Sequence, residues 1–232
     1  MDNSIHNLLS SPETPATDSS LVVYRELREA IVSGRFQPNE RLVEADLERM
    51  LGAGRTTIRA ALVRLDQEGL VQRAPNRGAR VRLISDREAL EIEQVRAALE
   101  QMVARQAACH ASAADVAGLR AELHRMRAHV DDGDPLGYSE LNASFHERIW
   151  AIADNRVATS LLTTLKSQSI RFQYRTILQP GRPLRSLREH EAIVEALATG
   201  DPDASEAAMR AHLAHVIETL RAAIERQAPA AP

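Results

Sequence analysis

The chain has 232 residues, 44% of them hydrophobic but only 3% aromatic, and a formal net charge of −3. That apolar content builds one large core or two smaller ones, and the shortage of aromatics points to closely packed helices. One cysteine, Cys109, excludes an internal disulfide and suits a reducing compartment. With no apolar run of membrane length and no signal-peptide pattern, a cytoplasmic protein is expected.

The charge is unevenly spread. Residues 20–83 carry 12 Arg against 8 acids, the segment after them 17 basic residues against 21 acidic, and residues 1–19 three acids and no base. A basic module beside an acidic one satisfies the local requirement of phosphate binding.

In chain order, residues 1–19 are rich in Ser, Thr and Pro and read as a disordered tail. Val23, Leu27, Ala30 and Ile31 predict a helix over Leu21–Ser33, stopped by Gly34. After a turn at Phe36–Glu40 come a helix over Glu44–Leu51, a tight Gly52-Ala53-Gly54 turn, and a helix over Arg55–Glu68 closed by Gly69. Leu70–Ala74 and Ala79–Leu83 alternate as short strands around Pro75-Asn76-Arg77-Gly78. This is a winged helix-turn-helix over residues 20–84. Its third helix, the second of the helix-turn-helix pair, opens on Arg55-Thr56-Thr57-Ile58-Arg59, with two guanidiniums four apart on one face and two hydroxyls at the helix start. Such an end suits a major groove, with arginine on a guanine edge or phosphate and the threonines capping the helix or meeting phosphates.

The remainder, 85–228, reads as a bundle of about six helices. Ser85 or Asp86 caps the first, which runs to about His110 and buries Leu90, Ile92, Val95, Leu99, Met102 and Val103. Helices follow over Ala113–Val130, about Leu136–Ala153 and about Arg156–Leu178. A capping box at Ser186–Glu189 opens the fifth, ending near Gly200. Asp201-Pro202 opens the sixth, to about Gln227, before a tail at 229–232. The expected fold class is mainly α.

Tyr24, Leu27-Arg28, Ile31, Gly34, Pro38, Glu40-Arg41-Leu42, Glu44, Arg55–Arg59, Ala61-Leu62, Glu68-Gly69-Leu70 and Asn76-Arg77-Gly78 together resemble the GntR family of bacterial transcriptional regulators. The helical part looks like the FCD ligand-binding domain of its FadR-type subgroup. The sequence departs at Asn39, where the family usually has Gly, and at Gly54, where it usually has Ser or Thr. The resemblance adds Arg28, Thr56, Thr57 and the wing residues Asn76, Arg77 and Gly78 as DNA contacts. It implies a homodimer on double-stranded operator DNA, with no membrane partner.

Asn142 and His146 share a helix face, His190 lies near the start of the fifth helix, and His212 lies midway along the sixth. Three imidazoles from three helices of a bundle can meet on one ion. The residues alone leave chance histidines on polar faces as the simpler reading. The FCD resemblance implies a divalent metal (zinc, nickel or similar) at Asn142, His146, His190 and His212, with an amide where the family usually has Asp. His215 is the alternative ligand, and His6, His110, His124 and His129 read as surface residues. The resemblance also implies a small organic acid effector beside the metal, with Arg96 as its anchor. Arg96 equally forms an ordinary helix pair with Glu100. Arg171 and Arg175 are weaker candidates.

Two rivals remain open: a helical domain that only dimerises, and a bundle holding a long acyl ligand, against which the polar histidines argue. An enzyme is disfavoured. His146-Glu147 and His190-Glu191 begin like a zinc-protease helix but meet Trp150 and Val194 where a second His belongs, and no phosphate loop stands out.

Overall fold

The computed structural model describes residues 16–74 and 78–227. Its order is α1 (Ala16–Val32), β1 (Arg41–Leu42), α2 (Glu44–Leu51), α3 (Arg55–Gln67), β2 (Val71–Ala74), β3 (Gly78–Val81), α4 (Asp86–His110), α5 (Ala113–Asp131), α6 (Pro135–Ala153), α7 (Arg156–Ile177), α8 (Arg182–Thr199) and α9 (Pro202–Gln227). The class is the one expected, a winged helix-turn-helix and an all-helical bundle. The chain divides into two compact units between Leu83 and Ile84.

In the first unit α1 and α2 pack on α3. Leu27, Leu47, Ile58, Leu62 and Leu65 meet Leu42, Val71 and Val81 of the sheet in one core. The antiparallel sheet has the order β1-β3-β2, with Arg41 opposite Arg80 and Val71 opposite Val81. Strand β1 is an addition to the expected elements, since two residues carry no readable alternation. Asn39 turns the chain into it with φ 67. Asn enters this left-handed region more readily than other side chains, which explains its presence where the resemblance expects Gly.

In the second unit α4 runs through the middle, against α6, α7 and α9. Ala97, Ala104 and Ala107 on α4 are small enough for close approach, and Tyr138, Phe145, Ile149 and Trp150 of α6 fill the core beside them. Such a fully buried large side chain contributes about 1.5–3 kcal/mol. The helix starts are chemically marked. Ser85 accepts from the Glu88 amide, Ser112 and Asp115 form a reciprocal box, and Asp134 precedes Pro135.

Three expectations need correction. Helix α1 begins at Ala16, inside the expected tail. Helix α8 begins at Arg182, with Gly181 before it and Pro183 in its first turn. Proline's fixed φ starts the helix one turn early, so Ser186 and Glu189 lie inside it and form no capping box. On α4, Val95 and Met102 are exposed, while the buried side includes Glu93, Arg96 and Glu100 beside Ile92 and Val103.

Candidate functional site

In the first unit, Ile58 is sealed in the core and anchors the start of α3. Gly54 is its N-cap and brings no side chain, so the first amides carry no side-chain cap. Thr56 and Thr57 follow as the second and third helical residues, the former exposed and the latter half-buried. Arg55 and Arg59 stand side by side, and Glu44 at the start of α2 accepts from both Nε atoms, at 3.1 and 2.9 Å. Their side chains remain 65% and 53% exposed. Desolvation works to raise the Glu44 carboxyl, but its bonds from Arg55 and Arg59 hold it below the usual range.

Arg28 lies elsewhere. It is 3.6 Å from Glu68, whose carboxylate also accepts from the Tyr24 hydroxyl at 2.5 Å. Arg64 stacks over the Tyr24 ring at 4.2 Å. This cluster is at the C-terminal end of α3, about 20 Å from Arg55 by helical rise. Asn76 and Arg77 lie outside the described residues. Gly78 has φ +78, and a Cβ there would meet the Leu42 carbonyl oxygen at 2.6 Å. The pairing of β1 with β3 therefore demands glycine independently of any ligand.

In the second unit, α6, α8 and α9 bring His146, His190 and His212 together. All three are buried, and one ring nitrogen from each lies within 4.8 Å of the others. Ring centroids are 5.3 Å apart for His146–His190 and His146–His212, and 4.5 Å for His190–His212. His146 Nδ1 is 2.5 Å from Glu100 and His212 Nδ1 is 2.8 Å from Glu189. Both ring nitrogens of His190 are buried without a hydrogen-bond partner among the described residues. Burial, then the neighbouring rings and Arg182, push His190 well below the ordinary imidazole range. Burial and His146 do the same to His212. Both rings are therefore neutral near pH 7, the form that binds metal.

Asn142 lies one turn before His146, half-buried. It lines a cavity of about 30 Å³ with Arg96, His146, Gln173, Arg182 and His212. A space of this size accepts a water-sized species. His215, the alternative ligand, is outside the three-ring group and contacts the other Glu189 oxygen at 2.8 Å. His110 and His124 are exposed and His129 half-exposed; His6 lies outside the described residues.

Arg96 faces the cavity but is not the exposed helix pair that spacing allows. Its Nε contacts Glu93 at 2.8 Å and its Nη1 contacts Glu100 at 3.0 Å, all three residues being buried. Removing one partner of such a buried set costs about 3–5 kcal/mol. Burial alone would raise the Glu100 carboxyl, but His146 and Arg96 bring it to about 2. Arg171 belongs to α7, but its side chain lies outside the described residues. Arg175 turns to Asp86, 2.7 Å away, and α7 lines the cavity with Gln173 and Thr176 instead. Sequence reasoning passed over Arg182, which opens α8, is buried, and contacts Glu189 at 2.9 Å. The Gly181-Arg182-Pro183 helix start was the available signal.

A winged helix-turn-helix followed in the chain by an all-helical unit defines a class of DNA-binding protein. Residues 20–81 match the family of bacterial regulatory proteins described as the gntR family, and residues 91–215 match the FCD domain. The chain belongs to the GntR family and carries an FCD domain. It is 32% identical over 199 residues to the HTH-type transcriptional repressor RspR of Escherichia coli K12, covering 86% of this chain and 87% of that one. It is 29% identical over 199 residues to the Nta operon transcriptional regulator of Aminobacter aminovorans, covering 83% and 92%. The solved structure of E. coli McbR/YncC shares the fold, with a TM-score of 0.74 at 22% identity over 91% of this chain and 99% of that one. The protein is thus a DNA-binding transcriptional regulator. Its relatives are regulators too, so the enzyme reading falls away. No helix among the described residues is long and apolar enough to cross a membrane.

Proposed function

We propose that this regulator binds an inverted-repeat operator as a homodimer and senses a small organic acid beside one divalent ion. The working division is 20–84 for DNA and 85–228 for sensing and dimerisation. His146, His190 and His212 hold the ion, with the Asn142 amide oxygen as a weak, uncharged fourth donor. The observation that supports this reading is the buried three-imidazole group in which neither His190 ring nitrogen has a hydrogen-bond partner among the described residues. An unsatisfied buried polar atom costs about 1–3 kcal/mol, and a shared cation relieves it.

Arg55 and Arg59 read a guanine edge and a phosphate, Thr56 and Thr57 meet phosphates at the uncapped helix start, and Asn76, Arg77 and Gly78 form the wing contact. Arg28, tied to Glu68, contributes a flanking phosphate contact only. In the cavity, Arg96 already answers two carboxylates, so Arg182 shares the anchoring of the acid. Helices α4 and α7 pack together, and Val95, Met102, Val157 and Leu161 on them are exposed. We assign these exposed apolar side chains to contact with a second copy of the chain. The acid acts by re-spacing two winged units through the short Leu83–Asp86 junction.

Elemental analysis of purified protein tests the centre. One ion per chain is expected in the wild type, with loss in His190→Ala and His212→Ala. Unchanged metal content in both variants refutes the site.

A further inference from the structure

Behind the three histidines stand two carboxylates for which neither DNA binding nor acid recognition accounts. Glu100 of α4 is fully buried and uses both oxygens, one toward Arg96 and one toward His146 Nδ1. Glu189 of α8 is arranged alike. One oxygen receives His212 Nδ1 and Arg182; the other faces His215 Nδ1 at 2.8 Å and Arg185 at 3.3 Å. A carboxylate clamped by an arginine has little freedom, so each fixes the ring that it touches. His190 has no such partner among the described residues, and its ring lies 4.6 Å from that of Phe145.

We propose that Glu100 and Glu189 are positioning residues of the three-histidine centre, each accepting the Nδ1–H of one imidazole so that His146 and His212 present Nε2 to a single divalent ion. The inference rests on the metal reading above and extends it to two residues outside the ligand set. A neutral imidazole carries one proton, and a carboxylate at Nδ1 keeps it there. That leaves Nε2 as the lone-pair donor and makes it more basic. The two glutamates also bear on the charge at the centre. With Asn142 in place of a carboxylate, three imidazoles and an amide bring no negative charge to a buried cation. Glu100 and Glu189 place carboxylates one imidazole's width away, sharing their charge with Arg96, Arg182 and Arg185.

The test uses the full-length protein with zinc as the probe. Zinc affinity is measured by chelator competition for wild type, Glu100→Gln and Glu189→Gln, and long-range ¹H–¹⁵N spectra locate the ring protons in the wild type. Each substitution is expected to weaken zinc binding about 10–100-fold, and His146 and His212 are expected to carry their protons on Nδ1. Glu189 lies nearer the surface than Glu100, so Glu189→Gln and the wild-type spectrum decide the matter if Glu100→Gln does not fold. A wild type that binds zinc while folded Gln variants bind it equally well overturns the positioning role and leaves the metal reading intact. Protons on Nε2 of both rings overturn it also. A wild type that takes up no zinc removes the metal reading and this inference together.

Discussion

At the start of α3, one acidic residue governs two basic ones. Glu44 holds Arg55 and Arg59 by their Nε atoms, which fixes both side chains without engaging the outer guanidinium nitrogens. Arg59→Ala should lower operator affinity and reduce the log–log salt slope by about 1, the value of one phosphate contact. Unchanged affinity and slope would falsify its place in the interface. Glu44→Ala should act differently. Freeing two guanidiniums and removing a negative charge raises affinity for arbitrary duplex while costing discrimination, so the ratio of specific to non-specific affinity should fall. An unaltered ratio, from paired binding titrations, would show that Glu44 merely fills space. Gly78 sits beside the carbonyl of Leu42 with φ +78. Gly78→Ala should destabilise the winged unit by at least about 1–2 kcal/mol, the usual left-handed penalty for a side chain. Chemical denaturation followed by circular dichroism measures it, and wild-type stability would contradict the close approach.

At the scale of elements, α6, α8 and α9 converge to bury imidazoles, and burial gives them a pH signature. His190 and His212 are depressed in the fold, so below about 6.5 the unfolded chain takes up protons that the folded chain refuses. Stability of the metal-free protein must then fall as pH drops through that value, and go on falling toward the depressed folded values. Glu100, at about 2 against an ordinary 4.5, adds a further loss as pH falls from 4.5 toward 2. Melting temperatures of chelator-treated protein between pH 7.5 and 5 provide the check; a flat profile would contradict the buried neutral cluster. Much of this architecture was legible in the sequence. Gly52-Ala53-Gly54, the Arg55/Arg59 spacing and Asp201-Pro202 each carry a local mechanism, and the structure has the corresponding turns and helix starts. The expectation at His146, His190 and His212 depended on a family resemblance, because no local rule tells a converging histidine from a solvated one. Periodicity failed on α4, where it assigned Val95 and Met102 to the core. Glu93, Arg96 and Glu100 took the interior because partners on the same helix and on α6 neutralise them, and no hydropathy pattern carries that information. Ser186–Glu189 misled for a related reason. The spacing fits a cap, but Pro183 had already started the helix, freeing Glu189 to face the histidines.

At the scale of the whole molecule, the proposed function requires two properties to coexist: a dimer that matches an inverted repeat, and an acid site whose occupancy changes that match. The exposed apolar side chains Val157 and Leu161 of α7, with Val95 and Met102 of α4, make the first testable. Leu161→Glu should shift the protein toward monomer in sedimentation velocity and weaken operator binding, since one recognition helix reads only a few base pairs. A dimer of wild-type stability would move the interface elsewhere. Linkage between acid and DNA requires different acid affinities for the DNA-competent and incompetent arrangements. It is measured most directly by operator affinity on a duplex selected from a random library, using metal-loaded protein with and without organic acids that raise its melting temperature. The account predicts that at least one such acid changes the dissociation constant about 5–150-fold, and that stripping the metal or substituting His190 by Ala abolishes the change. Acids that bind the metal-loaded protein yet leave operator affinity unaltered would contradict it.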